Sequence, residues 1–387
     1  MLESVRAFNL AAGHRPDELV AMKDKGAVLV PYTGNFIPPE LIRACGAEPY
    51  PEWRGGDPVL PDAMLDESIR FLNPYARSTP GAYRLGMAPV IESCDLLAWT
   101  ASDCHNQRMG EMMESYGLNV MKVGVPTDWK NASSSRYYRD AIDRLVDRIV
   151  AVGGHAPARD ELARQIEKGN EVRALLRKVS ELRKAENPVI GFEEYIQVNH
   201  DAAICDPDTA IDCLKKVLAE CEGAAPKFKP QPIRLLLIGH AVAYGDYTVI
   251  REIEKDDAVI EAQILDEGLI WDDIDVSTEG DLTENLLRAS YLDRLPPSIF
   301  QPSWEQRMDA VVDTVRQRGL DGVVFYELLY DEIYDMEYTC LAKRLAKEGI
   351  PLQCITSSYE YSREAILPLQ TRRDSFIGQL KSARKGA

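Results

Sequence analysis

Histidine is scarce in this chain: 387 residues hold five, at positions 14, 105, 155, 200 and 240. A metal site built mainly on imidazole therefore has little material. The eight cysteines, at 45, 94, 104, 205, 213, 221, 340 and 354, include no C-x-x-C pair. That excludes the usual zinc-ribbon and zinc-finger spacings, and in a large intracellular chain the thiols are expected to be reduced. Neither a Walker sequence nor G-x-G-x-x-G occurs, so ATP hydrolysis by this chain is not expected. No apolar run approaches the roughly 20 residues of a membrane span. Met1-Leu2-Glu3-Ser4-Val5-Arg6 lacks the charged-then-apolar pattern of a secretion signal. The expectation is a cytoplasmic protein without a membrane partner. Positive charge is short as well: 45 Lys and Arg against 62 Asp and Glu give −17. A field of that sign repels phosphate backbones and argues against nucleic-acid binding.

What is present is a strand–helix alternation that occurs twice. Hydrophobic residues make up 45% of the chain, enough for two cores. Residues 1–24 read as a polar helical arm. Ala27–Val30 reads as a strand, Pro38–Gly46 as a helix, 51–66 as a Pro- and Gly-rich loop, and Ala82–Met87 as a short helix. Asp95–Thr100 and Leu118–Val125 read as strands around a helix over Arg108–Tyr116. Ser133–Ser135 offers cap hydroxyls to a helix whose Ile142, Leu145, Val146 and Ile149 form one apolar stripe. From 160 to 222 the pattern is helical and charged. The Pro-rich segment 223–232 is a connector. Strands are expected again at 233–238, 259–265, 323–326 and 351–355, with helices between them and an acidic stretch over 268–302. Alternation of this kind implies parallel sheets with right-handed crossovers. The fold class is α/β: two Rossmann- or flavodoxin-like parallel-sheet domains facing a cleft, with a helical N-terminal arm and a helical middle segment. The expected boundaries are 1–155, 156–225 and 226–387.

Ligands of such sheets bind beyond the carboxyl ends of strands. Ser102-Asp103-Cys104-His105 lies at one such end. Cys104 and His105 read either as a nucleophile with its base, or as ligands, and neighbours on a strand point to opposite sides. Cys104 is the better cleft residue. Tyr32, Thr33 and Asn35 end the first strand and could orient a substrate. Asp266-Glu267 and Glu327 end strands in the second half, where burial would fit them for acid–base work. Gly239–Asp246 reads as a structural turn or as an anion site before a helix. Cys45, Cys213 and Cys221 sit on helix faces and read as core residues.

The order of several pieces resembles the 2-hydroxyacyl-CoA dehydratase and benzoyl-CoA reductase family. Pro38-Pro39-Glu40-Leu41-Ile42-Arg43-Ala44-Cys45-Gly46-Ala47 is similar to a helix of that family, Arg77-Ser78 to the close of its first cluster motif, and Asp103-Cys104 to its second. The run Tyr291–Arg294, Trp304–Arg307 and Asp321–Phe325 leads into the third, and Met336-Glu337-Tyr338 and Gly349-Ile350-Pro351 continue it. The resemblance implies two related subunits, each with a [4Fe–4S] cluster on three cysteines, one per motif. It implies a separate ATP-driven activator that supplies an electron, and an acyl-CoA substrate that is dehydrated (a lyase) or reduced on its ring (an oxidoreductase).

This chain departs from the pattern. Of the implied ligands only Cys104 is present. Asn73 stands about four residues before Arg77, where the first cysteine belongs. Tyr330-Asp331 stands about five residues past Val324-Phe325, where the third belongs. Cys340 falls inside a helix and Cys354 inside a strand. The expectation is therefore a subunit of an anaerobic acyl-CoA-processing complex, with the complete cluster in a homologous sister subunit. His105 and Glu327 are the candidate catalytic groups. The rival readings are a two-lobed scaffold or small-molecule-binding protein without a redox role, and a hydrolase using Cys104 with His105.

Overall fold

The computed structural model describes residues 1–300 and 303–386; the last two positions of the acidic stretch 268–302 lie outside them. The first lobe carries strands β1 (Val28–Tyr32), β2 (Ala47–Pro51), β3 (Leu97–Ala101) and β4 (Val120–Gly124). Its helices are α2 (Pro39–Ala44), α3 (Val59–Asp62), α4 (Pro74–Arg84), α5 (Pro89–Ser93), α6 (Cys104–Ser115) and α7 (Ala132–Ala151), after the arm α1 (Glu3–Lys23). A helical segment follows: α8 (Arg159–Glu181), α9 (Phe192–Ile204) and α10 (Pro207–Cys221). The second lobe has β5 (Ile233–Ala241), β6 (Ala258–Glu267), β7 (Gly322–Leu328) and β8 (Leu352–Ser357). Around them lie α11 (Thr248–Ile253), α12 (Leu282–Leu287), α13 (Trp304–Arg318), α14 (Glu332–Glu348) and α15 (Arg363–Gly386).

Both sheets are parallel and share one strand order, β2-β1-β3-β4 and β6-β5-β7-β8. This is the expected α/β architecture. β2 falls between the expected helix 38–46 and the expected loop 51–66, where no element is expected, because Pro49 and Pro51 disguise it. Proline lacks the N–H a central strand needs, and β2 lies at the sheet edge, where that loss is tolerated. Two helices start earlier than their apolar patterns suggest. Asn73 caps α4 by accepting from the Ala76 N–H at 2.8 Å. Asp103 caps α6 by accepting from His105 and Asn106 at 2.8 and 2.9 Å. The cap of α7 is Asn131, which accepts from Ser134 at 2.7 Å, in place of the three serines.

Alternating side chains on the strands feed two large cores. Leu29, Leu235 and Leu237 join one, and Val30, Leu236 and Ile238 join the other. Each core thus contains residues of both lobes, the expected result when two sheets bury both faces. Cys45 and Cys221 are buried, and Cys213 is half-buried beside the first core. The lobes also touch directly. Tyr244 donates to the Trp53 carbonyl at 2.7 Å and accepts from Gly55 at 3.1 Å, making a parallel bridge between loops.

Candidate functional site

With this strand order, the direction of winding switches between β1 and β3 and between β5 and β7. The crevice of an α/β sheet opens at such points. β1 and β3 share a single register pair, Tyr32 with Ala98. β5 and β7 stay paired as far as Gly239 with Tyr326, while β5 runs on beside β6 to Ala241 and Glu267. The strands part beyond those positions.

Three segments meet at the first-lobe opening. Asn73, at the start of α4, holds His105 Nδ1 at 3.2 Å through its Nδ2. His105 Nε2 faces Glu332 of α14 at 3.5 Å. Tyr330 meets Phe71 edge to face, ring centroids 5.3 Å apart. Contacts of Asn73 with His105 and of His105 with Glu332 thus bring the starts of α4, α6 and α14 together. Tyr330 has φ +65°, a left-handed conformation uncommon for a bulky residue, and it turns the chain from β7 into α14. Cys104 is exposed at the first turn of α6. Both nitrogens of His105 face other partners, so the geometry is not that of a thiol with its base. Burial raises the Cys104 thiol above its ordinary pKa, and the neighbouring Asp103 and Glu332 carboxylates add to the shift.

The second-lobe opening centres on His240, which the sequence pattern places only in a turn. Its Nδ1 contacts Asp331 Oδ2 at 2.6 Å and its Nε2 lies 4.0 Å from Glu267. Its ring stacks on Tyr334 at 4.5 Å and takes the edge of Tyr75 at 5.6 Å. Burial works against its protonation, but Asp331, then Glu267 and Asp103, outweigh it and lift His240 to about 9. Burial raises Glu267 to about 7 against the pull of His240. The stacking Tyr334 is itself fixed: its hydroxyl donates to Asp266 at 2.8 Å. Asp266 also accepts from Arg307 at 2.7 Å, and Arg307 reaches Glu337 at 2.6 Å. This buried triad ties β6, α13 and α14 together beneath the site.

The other sequence candidates have separate places. Glu327 turns to the neighbouring strand, accepting from Thr356 at 2.9 Å and from Cys354 at 3.5 Å. Thr33 accepts from the Thr100 N–H at 2.9 Å and its carbonyl accepts from the Thr100 hydroxyl at 2.6 Å. Asn35 bonds the Leu269 carbonyl and accepts from the Gly268 N–H at 3.1 Å, joining the lobes. Tyr32 lines a separate cavity. Gly239–Asp246 is no anion cradle: β5 runs through to Ala241, and the buried Asp246 carboxylate accepts from Tyr326 and Tyr361.

An iron–sulfur cubane takes thiolate ligands. The strand-end site offers one thiol, held toward its neutral form. The oxygen of Asn73 is committed to its helix cap. Cys340 lies within α14 and Cys354 within β8, bonded to Glu327. Burial and then Glu327 push the Cys354 thiol up to about 12. Among the described residues, no group of three or more His, Cys, Asp or Glu is arranged to hold a metal ion. The residues present do not fit a cubane. No helix among the described residues is long and apolar enough to cross a membrane.

A family model described as "2-hydroxyglutaryl-CoA dehydratase, D-component" matches residues 35–380. A benzoyl-CoA reductase subunit from Thauera aromatica is 21% identical over 371 residues, covering 92% of this chain and 92% of that protein. The (R)-phenyllactyl-CoA dehydratase beta subunit of Clostridium sporogenes is 21% identical over 343 residues, covering 86% of this chain and 88% of that protein.

Proposed function

Because this chain belongs to the 2-hydroxyglutaryl-CoA dehydratase D-component family, we propose that it is the cluster-poor subunit of an acyl-CoA dehydratase or aromatic acyl-CoA reductase complex. One observation carries the reading. The three segments that would bring cluster ligands converge, yet they carry Asn73, Cys104 and Tyr330, and they bond each other. Asn73 and Tyr330 supply no thiolate to such a set. A [4Fe–4S] cluster would then reside in a homologous sister subunit. ATP would act only through a separate activator protein.

The chain's own residues supply shape and charge. Ile69, Phe71, Leu329 and Met336 are large apolar side chains left exposed on the segments that form the site. Apolar surface of this kind next to a cleft suits a contact between subunits, and the sister is the proposed occupant. His240, held between Asp331 and Glu267, would keep a proton beside the crevice, which it could pass to a substrate group.

The test is anaerobic co-purification with the sister chain, followed by iron and sulfide counts on each of the two separated proteins. The expected outcome is iron on the sister alone. A yield of about four iron atoms on this chain, lost in Cys104→Ser, overturns the reading.

A further inference from the structure

A cavity of roughly 930 Å³, counted with its open mouth, lies between α2, α8, the start of α10 and the 269–276 loop. Its walls are largely apolar, with Trp53, Val172, Ile270 and Leu286 prominent. Against them stands Arg43, half-buried, whose guanidinium makes no hydrogen bond or ion pair among the described residues. The other wall charges are accounted for. Arg173 contacts Glu40 at 2.9 Å and Asn170 at 2.7 Å, and Asp273 is exposed to solvent. Two further N–H groups on these walls, Trp271 Nε1 and Arg173 Nε, are buried without a partner among the described residues.

The unmet groups on these walls that are buried or half-buried are all donors. A guanidinium is always charged and presents a planar fork that matches a carboxylate. Holding it half out of water without a partner costs stability, and a ligand carboxylate would offset that cost. Burial lowers the Arg43 pKa, while the facing Tyr32 and Glu40 act in the opposite direction. One free cation beside the Glu40 carboxylate suits a single negative charge better than a phosphate dianion. The apolar walls require a hydrocarbon or aromatic body on the same molecule. We infer that this cavity binds a small amphipathic monocarboxylate, an aromatic or branched aliphatic acid, with its carboxylate on Arg43. The site is separate from the His240 crevice and does not depend on the redox complex.

The probe is 3-phenylpropanoate, titrated into the full chain at neutral pH and read by calorimetry and by tryptophan fluorescence, since Trp53 and Trp271 line the cavity. Its neutral isostere, 3-phenylpropanamide, and inorganic phosphate are the controls. Saturable binding of the acid is expected, at least about tenfold tighter than the amide, as for hydrogen bonds to a charged group, with no binding of phosphate. Arg43→Gln should lose a similar factor while melting no lower than the parent, and Arg43→Lys should fall between. Equal binding of acid and amide, or full affinity in the folded Arg43→Gln protein, overturns the inference.

Discussion

Two replaced positions can be found in the sequence because a family pattern marks them, but what fills their place cannot. Asn73 and Tyr330 are far apart in the chain, and no spacing rule relates either to His240. The His240–Asp331 contact at 2.6 Å depends on β5 and the start of α14 meeting across a parted sheet. The available signal is modest: His240 is one of five histidines, and it ends a strand at a switch point. The consequence is a pH dependence whose sign follows from both groups. Folded His240 keeps its proton to about 9, above its ordinary value of 6.5. Its stabilisation is complete below 6.5 and is lost as pH rises through 9. Glu267, raised to about 7 from 4.5, also binds a proton that the unfolded chain releases earlier. The contribution of these two groups to folding stability should therefore fall from about pH 5 to about pH 9. Asp331→Asn removes the main partner of His240 and should flatten the fall between pH 6.5 and 9. Urea midpoints at about pH 6 and about pH 9 check this. An unchanged pH difference in the variant would show that the pair does not control the titration.

Elements with a clear apolar period are legible in the sequence; α4 and α6, which polar caps begin ahead of any apolar period, are displaced by several residues. The stripe of α7 appears at its expected positions, with Ile142, Leu145 and Ile149 buried and Val146 half-buried at its edge. By contrast α6 starts at Cys104, not Arg108, because Asp103 supplies a cap that hydrophobic periodicity does not register. That shift decides the chemistry at Cys104, since it moves the thiol from a strand end to an exposed first helical turn. Two glycines test the local physics in opposite directions. Gly13 lies within α1, and a Cβ added there meets nothing within 4 Å. Gly13→Ala should stabilise the protein by about 0.5–1 kcal/mol through helix propensity. Gly245 has φ +102°, and an added Cβ would stand 2.7 Å from the Gly55 carbonyl, at the loop bridge between the lobes. Gly245→Ala combines a strained φ with a backbone clash and should cost about 2 kcal/mol or more. Thermal melting of the two variants reads both signs, and a Gly245→Ala protein as stable as the parent would show that the bridge yields easily.

At the scale of the whole molecule, the repeated alternation points to two sheets but conceals how they are joined. The Pro-rich connector over 223–232 suggests separable domains. The packing opposes that: Leu29 shares a core with Leu235, and Val30 shares the other with Leu236. The N-terminal arm reinforces the union, since Val5 and Phe8 of α1 are fully buried in the core that also holds residues of β5 and β6. Neither lobe can be exposed to water without opening apolar surface on the other, at roughly 25 cal/mol per Å². A chain of two independent domains would melt in two steps. This one is expected to unfold in a single transition, with far-ultraviolet circular dichroism and tryptophan fluorescence coinciding along a urea titration. The fragment 226–387, cut at the connector, should fail to give a cooperative transition, because it would carry its share of both cores into solvent. Two resolved transitions, or a cooperatively folded fragment, would mean that the lobes are autonomous and that the crevice between them is free to open.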